Sequence, residues 1–404
     1  MLANFRTLSL PAFRGPVLVD TLGLPRYWAV VWAAFLPADL APATVSKKLS
    51  QLEAFYQHAD TQLGLGRLDD ALADFDVEVL STALEGYFLT LRNLPSFTPA
   101  SEDRWQVALQ FITEIAQRVT RNYLQLGSLT VLSGKFERLE LLHSKLHIGK
   151  RRRPEQIRSL PADVVEFLYE LLDPESRTNP FQNEVSRWRV YVLFILMLHQ
   201  GLRRGELLVL PADAIKSSFD RDLQKERFWM SVRYNEYEDD PRSSKPSIKN
   251  APSIRQLPVS EVVALIVQEY VSNYRGRVGH SFLINSQKSA PMSPEAVSKT
   301  FQKITNSLPT SLRKLLLDHT RNDSVTAHAM RHTCAVVRLN QILAEGVEMN
   351  DALQRLRAFF GWSRDSEMPL RYARAVFEDR LSSVWRNEFD ERVSVLRSLP
   401  SRLK

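Results

Sequence analysis

The chain has 404 residues, a net charge of +7 and a sequence pI near 9.4, so it is too long for one ordinary domain and basic enough to favour a polyanionic partner, most commonly nucleic acid. With 44% hydrophobic and 25% charged residues it is neither a disordered chain nor a fibre. Its one cysteine, Cys334, excludes an internal disulfide, and its longest apolar run, residues 190–198, falls well short of the roughly 20 residues that cross a bilayer.

Residues 1–40 carry scattered prolines and aromatics without a clear period, and residues 1–17 contain no apolar segment of the signal-peptide type. A cytoplasmic, DNA-associated protein is therefore expected. From Thr44 the pattern turns helical: Val45, Leu49, Leu52 and Phe55 recur at three- and four-residue steps, as one buried face of a helix requires. Similar stripes predict helices over residues 77–91, 105–123 and 129–146, with Ser101-Glu-Asp-Arg as a helix start before Trp105. No strand is predicted in this half, which reads as a small all-helical domain. Gly149-Lys-Arg-Arg-Arg-Pro154 then breaks the pattern. Four consecutive cations ahead of a proline suit either a linker lying along a phosphate backbone or a solvated basic loop.

The second half mixes element types. Helices are predicted over residues 161–172 and 184–200. Residues 228–234 have the aromatic and β-branched bias of a strand, and residues 255–259 could pair back on them as a hairpin. A helix follows over residues 262–274. Ser293 is the expected cap and Pro294 the expected first residue of the next helix. Further helices are predicted near residues 327–345, over 351–360, and from Tyr372 onward. The charged segment 385–403 could form one more.

Four segments of this half carry the chemistry. They are Gly201-Leu-Arg-Arg-Gly-Glu-Leu207, Ile248-Lys-Asn-Ala-Pro-Ser-Ile-Arg-Gln-Leu-Pro258, His328-Ala-Met-Arg-His-Thr333, and Phe360-Gly-Trp-Ser-Arg-Asp-Ser-Glu-Met-Pro-Leu-Arg-Tyr372. In this order and spacing they resemble the catalytic motifs of the tyrosine recombinase (phage integrase) family, over residues 154–390. The resemblance implies catalytic roles for Arg203, Lys249, His328, Arg331, Trp362 and Tyr372. It departs from the commonest family pattern at Trp362, where most relatives have histidine. An indole can donate one hydrogen bond and offer a packing face, but it cannot transfer a proton.

The chemistry accounts for these residue types. Substitution at a phosphodiester builds negative charge on the non-bridging oxygens, and planar, permanently charged guanidiniums such as those of Arg203 and Arg331 match two oxygens at once. One such transition-state donor is typically worth about 3–4 kcal/mol. A phenol with a pKa near ~10 is a poor nucleophile while protonated, so Tyr372 needs a proton acceptor, and His328 is the expected one. Lys249, on a mobile hairpin, would protonate the departing 5′ oxygen, with Lys245 as a rival. The products would be a 3′-phosphotyrosyl link and a 5′-hydroxyl, and because the ester energy is kept, no cofactor, metal or ATP is implied.

Other readings of the same residues stand beside these. Arg203 and Arg204 could cap a helix or pair with Glu206. His328 and His332 have the spacing of a zinc pair, yet position 329 is alanine and no third ligand suggests itself. His332 is expected to pack and hydrogen-bond inside the domain, Cys334 to be an inert core residue, and Trp362 to be buried as well as functional.

The fold class expected is mainly α with a small antiparallel β-sheet: a helical core-binding domain followed by a mixed α/β catalytic domain. The expected organisation is an N-terminal extension (1–40), a helical DNA-binding domain (41–148), a basic linker (149–160), a catalytic domain (161–385) and a tail (386–404), a candidate for docking between subunits. The function expected is a site-specific recombinase or integrase of a mobile element. The expected setting is the bacterial nucleoid, with four protomers on double-stranded DNA, an accessory directionality factor, and no membrane. The rivals are a type IB topoisomerase-like enzyme and a non-catalytic DNA-binding regulator.

Overall fold

The computed structural model describes residues 2–4, 16–38, 40, 42–95, 99–121, 159–221 and 224–378. The chain divides into two compact units, Met1–Pro154 and Glu155–Lys404. The helix expected over 129–146, the basic linker segment 149–154 and the tail 386–404 lie outside the described residues.

In the first unit, helices α1 (Tyr27–Ala34), α2 (Pro42–Leu63), α3 (Arg67–Ala73), α4 (Val77–Arg92) and α5 (Pro99–Arg121) pack around one core. The predicted stripe of α2 is the buried one: Leu49, Leu52 and Phe55 are fully enclosed, while Val45 packs at the edge. Trp32 and Phe111 meet edge to face at 5.7 Å, the geometry their ring quadrupoles favour. Asp76 caps α4 by accepting from the Val79 N–H at 3.2 Å. Contrary to the all-helical expectation, β1 (Leu2–Asn4) pairs antiparallel with β2 (Pro16–Leu18), Ala3 opposite Val17. Three-residue strands hold too few alternations to show a period, and their hydrogen-bond partners come from elsewhere in the chain.

In the second unit, α6 (Ala162–Leu172) is followed by α7 (Glu184–His199), which is enclosed on every side from Trp188 to His199. That is why its sequence is apolar without a stripe. The short α8 (Arg204–Val209) leads into an antiparallel sheet ordered β3 (Ile215–Asp220), β4 (Lys225–Val232), β5 (Arg255–Val259), with Met230 opposite both Ile215 and Leu257. The expected pairing of 228–234 with 255–259 is present, and β3 is an addition to it. Pro258 sits on the edge strand β5, where a missing N–H is tolerated.

Helix α9 (Glu261–Glu269) passes into a π-helical turn, Tyr270–Tyr274. Helix α10 (Pro294–Asn306) starts as expected, with the Ser293 hydroxyl accepting from the Ala296 N–H at 3.2 Å. After α11 (Thr310–Thr320), which the periodicity did not announce, come α12 (Ala327–Ala344), α13 (Met349–Phe360) and α14 (Met368–Glu378). Helix α12 packs on α7, and α12, α13 and α14 pack on one another. Among the described residues no helix is long and apolar enough to cross a membrane. The observed class is mainly helical with a small antiparallel sheet.

Candidate active site

The site begins where α7 ends. Gly201 takes a left-handed conformation (φ 58°), and a Cβ there would stand 2.4 Å from Cε1 of Phe360, so only glycine lets α7 turn this close to α13. Two residues on, Arg203 caps α8. Its own N–H donates to Oε2 of Glu206 at 3.0 Å, and its Nη1 donates to Oε1 of the same carboxylate at 2.5 Å. The Arg203–Glu206 pairing expected as an alternative is therefore present, and it is the base of a larger cluster.

Glu206 is fully buried beneath three guanidiniums. Besides Arg203 it accepts from Nη2 of Arg255 at 3.1 Å and pairs with Nη1 of Arg331 at 3.6 Å. Burial by itself would raise the Glu206 pKa, but Arg331, Arg255 and Arg203 outweigh it and hold the carboxyl below its ordinary range. One anion against three cations leaves a net positive cluster.

The arginines differ in reach. Arg203 keeps 22% of its side-chain exposure, whereas Arg255 and Arg331 keep 7% and 3%, so Arg203 is the one open to a phosphate from outside. Arg331 is tied below, with Nη1 donating to the Gly201 carbonyl at 2.6 Å and Nη2 to that of Phe360 at 2.7 Å. Burial, and then the charge of Arg203, lower its pKa to about 9, which still leaves it cationic at neutral pH.

Helix α12 presents His328 and, one turn on, Arg331 and His332 on one face. Its N-cap is Thr326, whose hydroxyl accepts from the Ala329 N–H at 3.1 Å. Gly361 closes α13 in the left-handed conformation (φ 60°), with the Trp362 N–H reaching back to the Arg357 carbonyl at 3.1 Å, a Schellman-type stop. This turn delivers Trp362 into a stack. Its ring lies parallel to Phe360 (4.9 Å) and to Tyr372 (5.2 Å), and the Arg331 guanidinium stands 5.9 Å from its centroid.

Tyr372 lies within α14 and is 1% exposed. Its hydroxyl is 2.5 Å from Nδ1 of His332, and the His332 ring in turn meets the His328 ring at 4.2 Å. The imidazole bonded to the phenol is thus His332, while His328 is exposed in the first turn of α12. Burial pushes the Tyr372 pKa well up, only partly offset by Arg331 and Arg203, so the phenol rests protonated.

Contacts join Arg331, Trp362 and Tyr372 directly, Arg203 through Glu206, and His328 through His332. Lys249 stands apart. It is exposed in the connection between β4 and β5, and it makes no hydrogen bond or ion pair among the described residues. Its loop is nevertheless anchored at the cluster, because Ser253 Oγ accepts from Nη1 of Arg203 at 2.7 Å and donates to Oδ1 of Asn250 at 2.5 Å. Lys245 interacts with Asp240 instead: against the effect of burial, the direct bonds from Arg242 and then the charge of Lys245 hold that carboxyl below its ordinary range.

Arg255, Ser253 and His332 are members of the cluster that the sequence reading left outside the catalytic set. The signal for the first two was their fixed offset behind Lys249. For His332 it was the four-residue step from His328, one turn along the same face. Among the described residues no three His, Cys, Asp or Glu side chains are grouped to hold a metal.

A tyrosine hydroxyl beside a net-positive arginine cluster is a site suited to phosphodiester chemistry. The sequence model of the phage integrase family matches residues 158–378, more than half of the chain, and the chain belongs to that family. It is a family of tyrosine recombinases and integrases, DNA-binding enzymes that break and rejoin DNA. No curated protein matches the chain closely enough to be compared with it.

Proposed function

We propose that this protein is a site-specific recombinase or integrase that cuts and rejoins double-stranded DNA through Tyr372. The observation that carries the reading is the set of contacts at Tyr372: its hydroxyl meets His332, its ring stacks on Trp362, and the Trp362 ring faces Arg331, which shares Glu206 with Arg203.

Arg203 binds a non-bridging oxygen of the scissile phosphate, and Arg331 adds positive charge from below while fixing the Gly201 and Phe360 carbonyls. The phenolic proton passes to His332. His328, at the exposed end of the imidazole pair, meets the phosphate or carries the proton outward. The phenolate oxygen forms the new bond to phosphorus as the bond to the 5′ oxygen breaks, and Lys249 Nζ protonates that oxygen. Because Tyr372 is almost fully covered, attack requires its hydroxyl to become exposed, and the α14 segment is the element that must shift. The ester energy stays in the phosphotyrosyl bond, and a 5′-hydroxyl of a partner duplex reverses the step without ATP.

The helical first unit serves as the second DNA-binding domain. The active form is a tetramer on two duplexes with the tail docking between subunits, and the biological setting is a mobile element of the bacterial nucleoid with an accessory directionality factor.

The test is to trap the adduct with denaturant on a nicked cognate site. Wild type should give a covalent protein–DNA species, and Tyr372→Phe none. An adduct that persists in the variant would mean another nucleophile. No adduct in either protein would favour a DNA-binding regulator, and plasmid relaxation without recombinant products would favour topoisomerase-like resealing.

A further inference from the structure

The loop that carries Lys249 is pressed between two glycines. Gly205 lies inside α8, where glycine is the poorest helix former apart from proline and no left-handed backbone demands it. What demands it is the loop, because a Cβ on Gly205 would stand 2.4 Å from the carbonyl oxygen of Ser247. On the far side, a Cβ on Gly361 would stand 2.6 Å from the Pro252 carbonyl oxygen and 2.7 Å from Cα of Ser253. Both obstacles are backbone, which cannot swing aside as a side chain can. Ser247 and Pro252 bracket Lys249, two residues before it and three after.

The anchors in between agree. The Ile248 N–H donates to the Tyr234 hydroxyl at 3.0 Å, and Asn250 is tied through Ser253 to Arg203. The flanks are therefore fixed while the Lys249 side chain stays exposed and uncommitted. A general acid needs this combination, a set origin with a mobile ammonium.

We propose that Gly205 and Gly361 are positioning residues for Lys249: they admit its loop against α8 and the end of α13, and so set how far the ammonium reaches toward the departing 5′ oxygen. The inference rests on the reading of Lys249 as the general acid. In the step concerned, the Tyr372 oxygen bonds to phosphorus, the bond from phosphorus to the 5′ oxygen breaks, and that oxygen takes a proton from Lys249 Nζ.

The test replaces the 5′ bridging oxygen by sulfur. A thiolate, whose conjugate thiol has a pKa of ~8.5, leaves without being protonated, so a defect confined to proton delivery disappears on that substrate. Initial rates of adduct formation are measured with both substrates for wild type, Lys249→Ala, Gly205→Ala and, as a control in open space, Gly279→Ala. General acid catalysis is typically worth about 10²–10⁴-fold. Lys249→Ala should lose a rate of that order with oxygen, Gly205→Ala about 10- to 100-fold, and both should come within about threefold of wild type with sulfur.

If Lys249→Ala is rescued by sulfur and Gly205→Ala is not, or if Gly205→Ala is as fast as wild type with oxygen, the glycine proposal is wrong although Lys249 stands. If Lys249→Ala itself is not rescued, the reading of Lys249 falls, and the proposal with it. Should Gly205→Ala fail to fold, Asn250→Ala replaces it. That variant loosens the Gly361 flank without adding an atom, and it must show the same recovery with sulfur for the proposal to survive.

Discussion

Glu206 is the single anion beneath three guanidiniums, and Glu206→Gln keeps its size while removing its charge. The carboxylate is completely buried and accepts at 2.5, 3.0 and 3.1 Å from Arg203 and Arg255, with Arg331 at 3.6 Å. Removing one partner from a buried ion pair leaves the other charges uncompensated and costs about 3–5 kcal/mol. For a unit of this size each kcal/mol lowers the Tm by about 2–4 °C, so a drop of about 6–20 °C is expected. Thermal unfolding of both proteins at pH 7 measures it.

The pH dependence supplies a second check. Glu206 has a folded pKa below its ordinary 4.5, so its contribution is complete above that value and is lost as pH falls through the depressed folded value. The gap between wild type and variant should hold from pH 7 to about pH 5 and close at lower pH. A variant that melts within 2 °C of wild type at pH 7, on the order of 1 kcal/mol or less, would refute the picture of Glu206 as the shared counter-ion.

Three further outcomes follow from the same geometry. Trp362→Ala should destabilise the second unit by about 3–5 kcal/mol, because it opens the stack between Phe360 and Tyr372; Trp362→Phe should cost less, and equal losses in chemical denaturation would argue against the stacking account. His332→Gln keeps a polar neighbour for the phenol but cannot accept its proton near neutral pH, so adduct formation should slow by roughly 10²-fold or more with little change in DNA affinity. An unchanged rate would move the proton to another group. Ser293→Ala, remote from the cluster, should cost about 1 kcal/mol through the lost cap of α10 and leave the rate of adduct formation as it was.

Much of the second unit was legible because its elements announce themselves locally. Ser293-Pro294 marks a helix start through the chemistry of its own backbone, and the aromatic run at 228–234 suits a pleated surface wherever it is placed. Helix α11 and strand β3 gave no such signal. Half or more of their residues stay exposed or only partly covered, so neither shows a clean apolar stripe or alternation. The β1–β2 pair was missed for a related reason, since three residues cannot display a period and their partners lie elsewhere in the chain.

The sequence alone determined which residue types were available for phosphodiester chemistry, their order along the chain, and the family to which they point, because each motif is a local string whose residues carry fixed charge and hydrogen-bonding capacity. Only the tertiary structure decided which imidazole meets the phenol, which arginine stays open to solvent, that one carboxylate serves three guanidiniums, and that two glycines grip the lysine loop. Those outcomes depend on burial and on distances between helices far apart in sequence, and spacing along a chain does not encode either quantity.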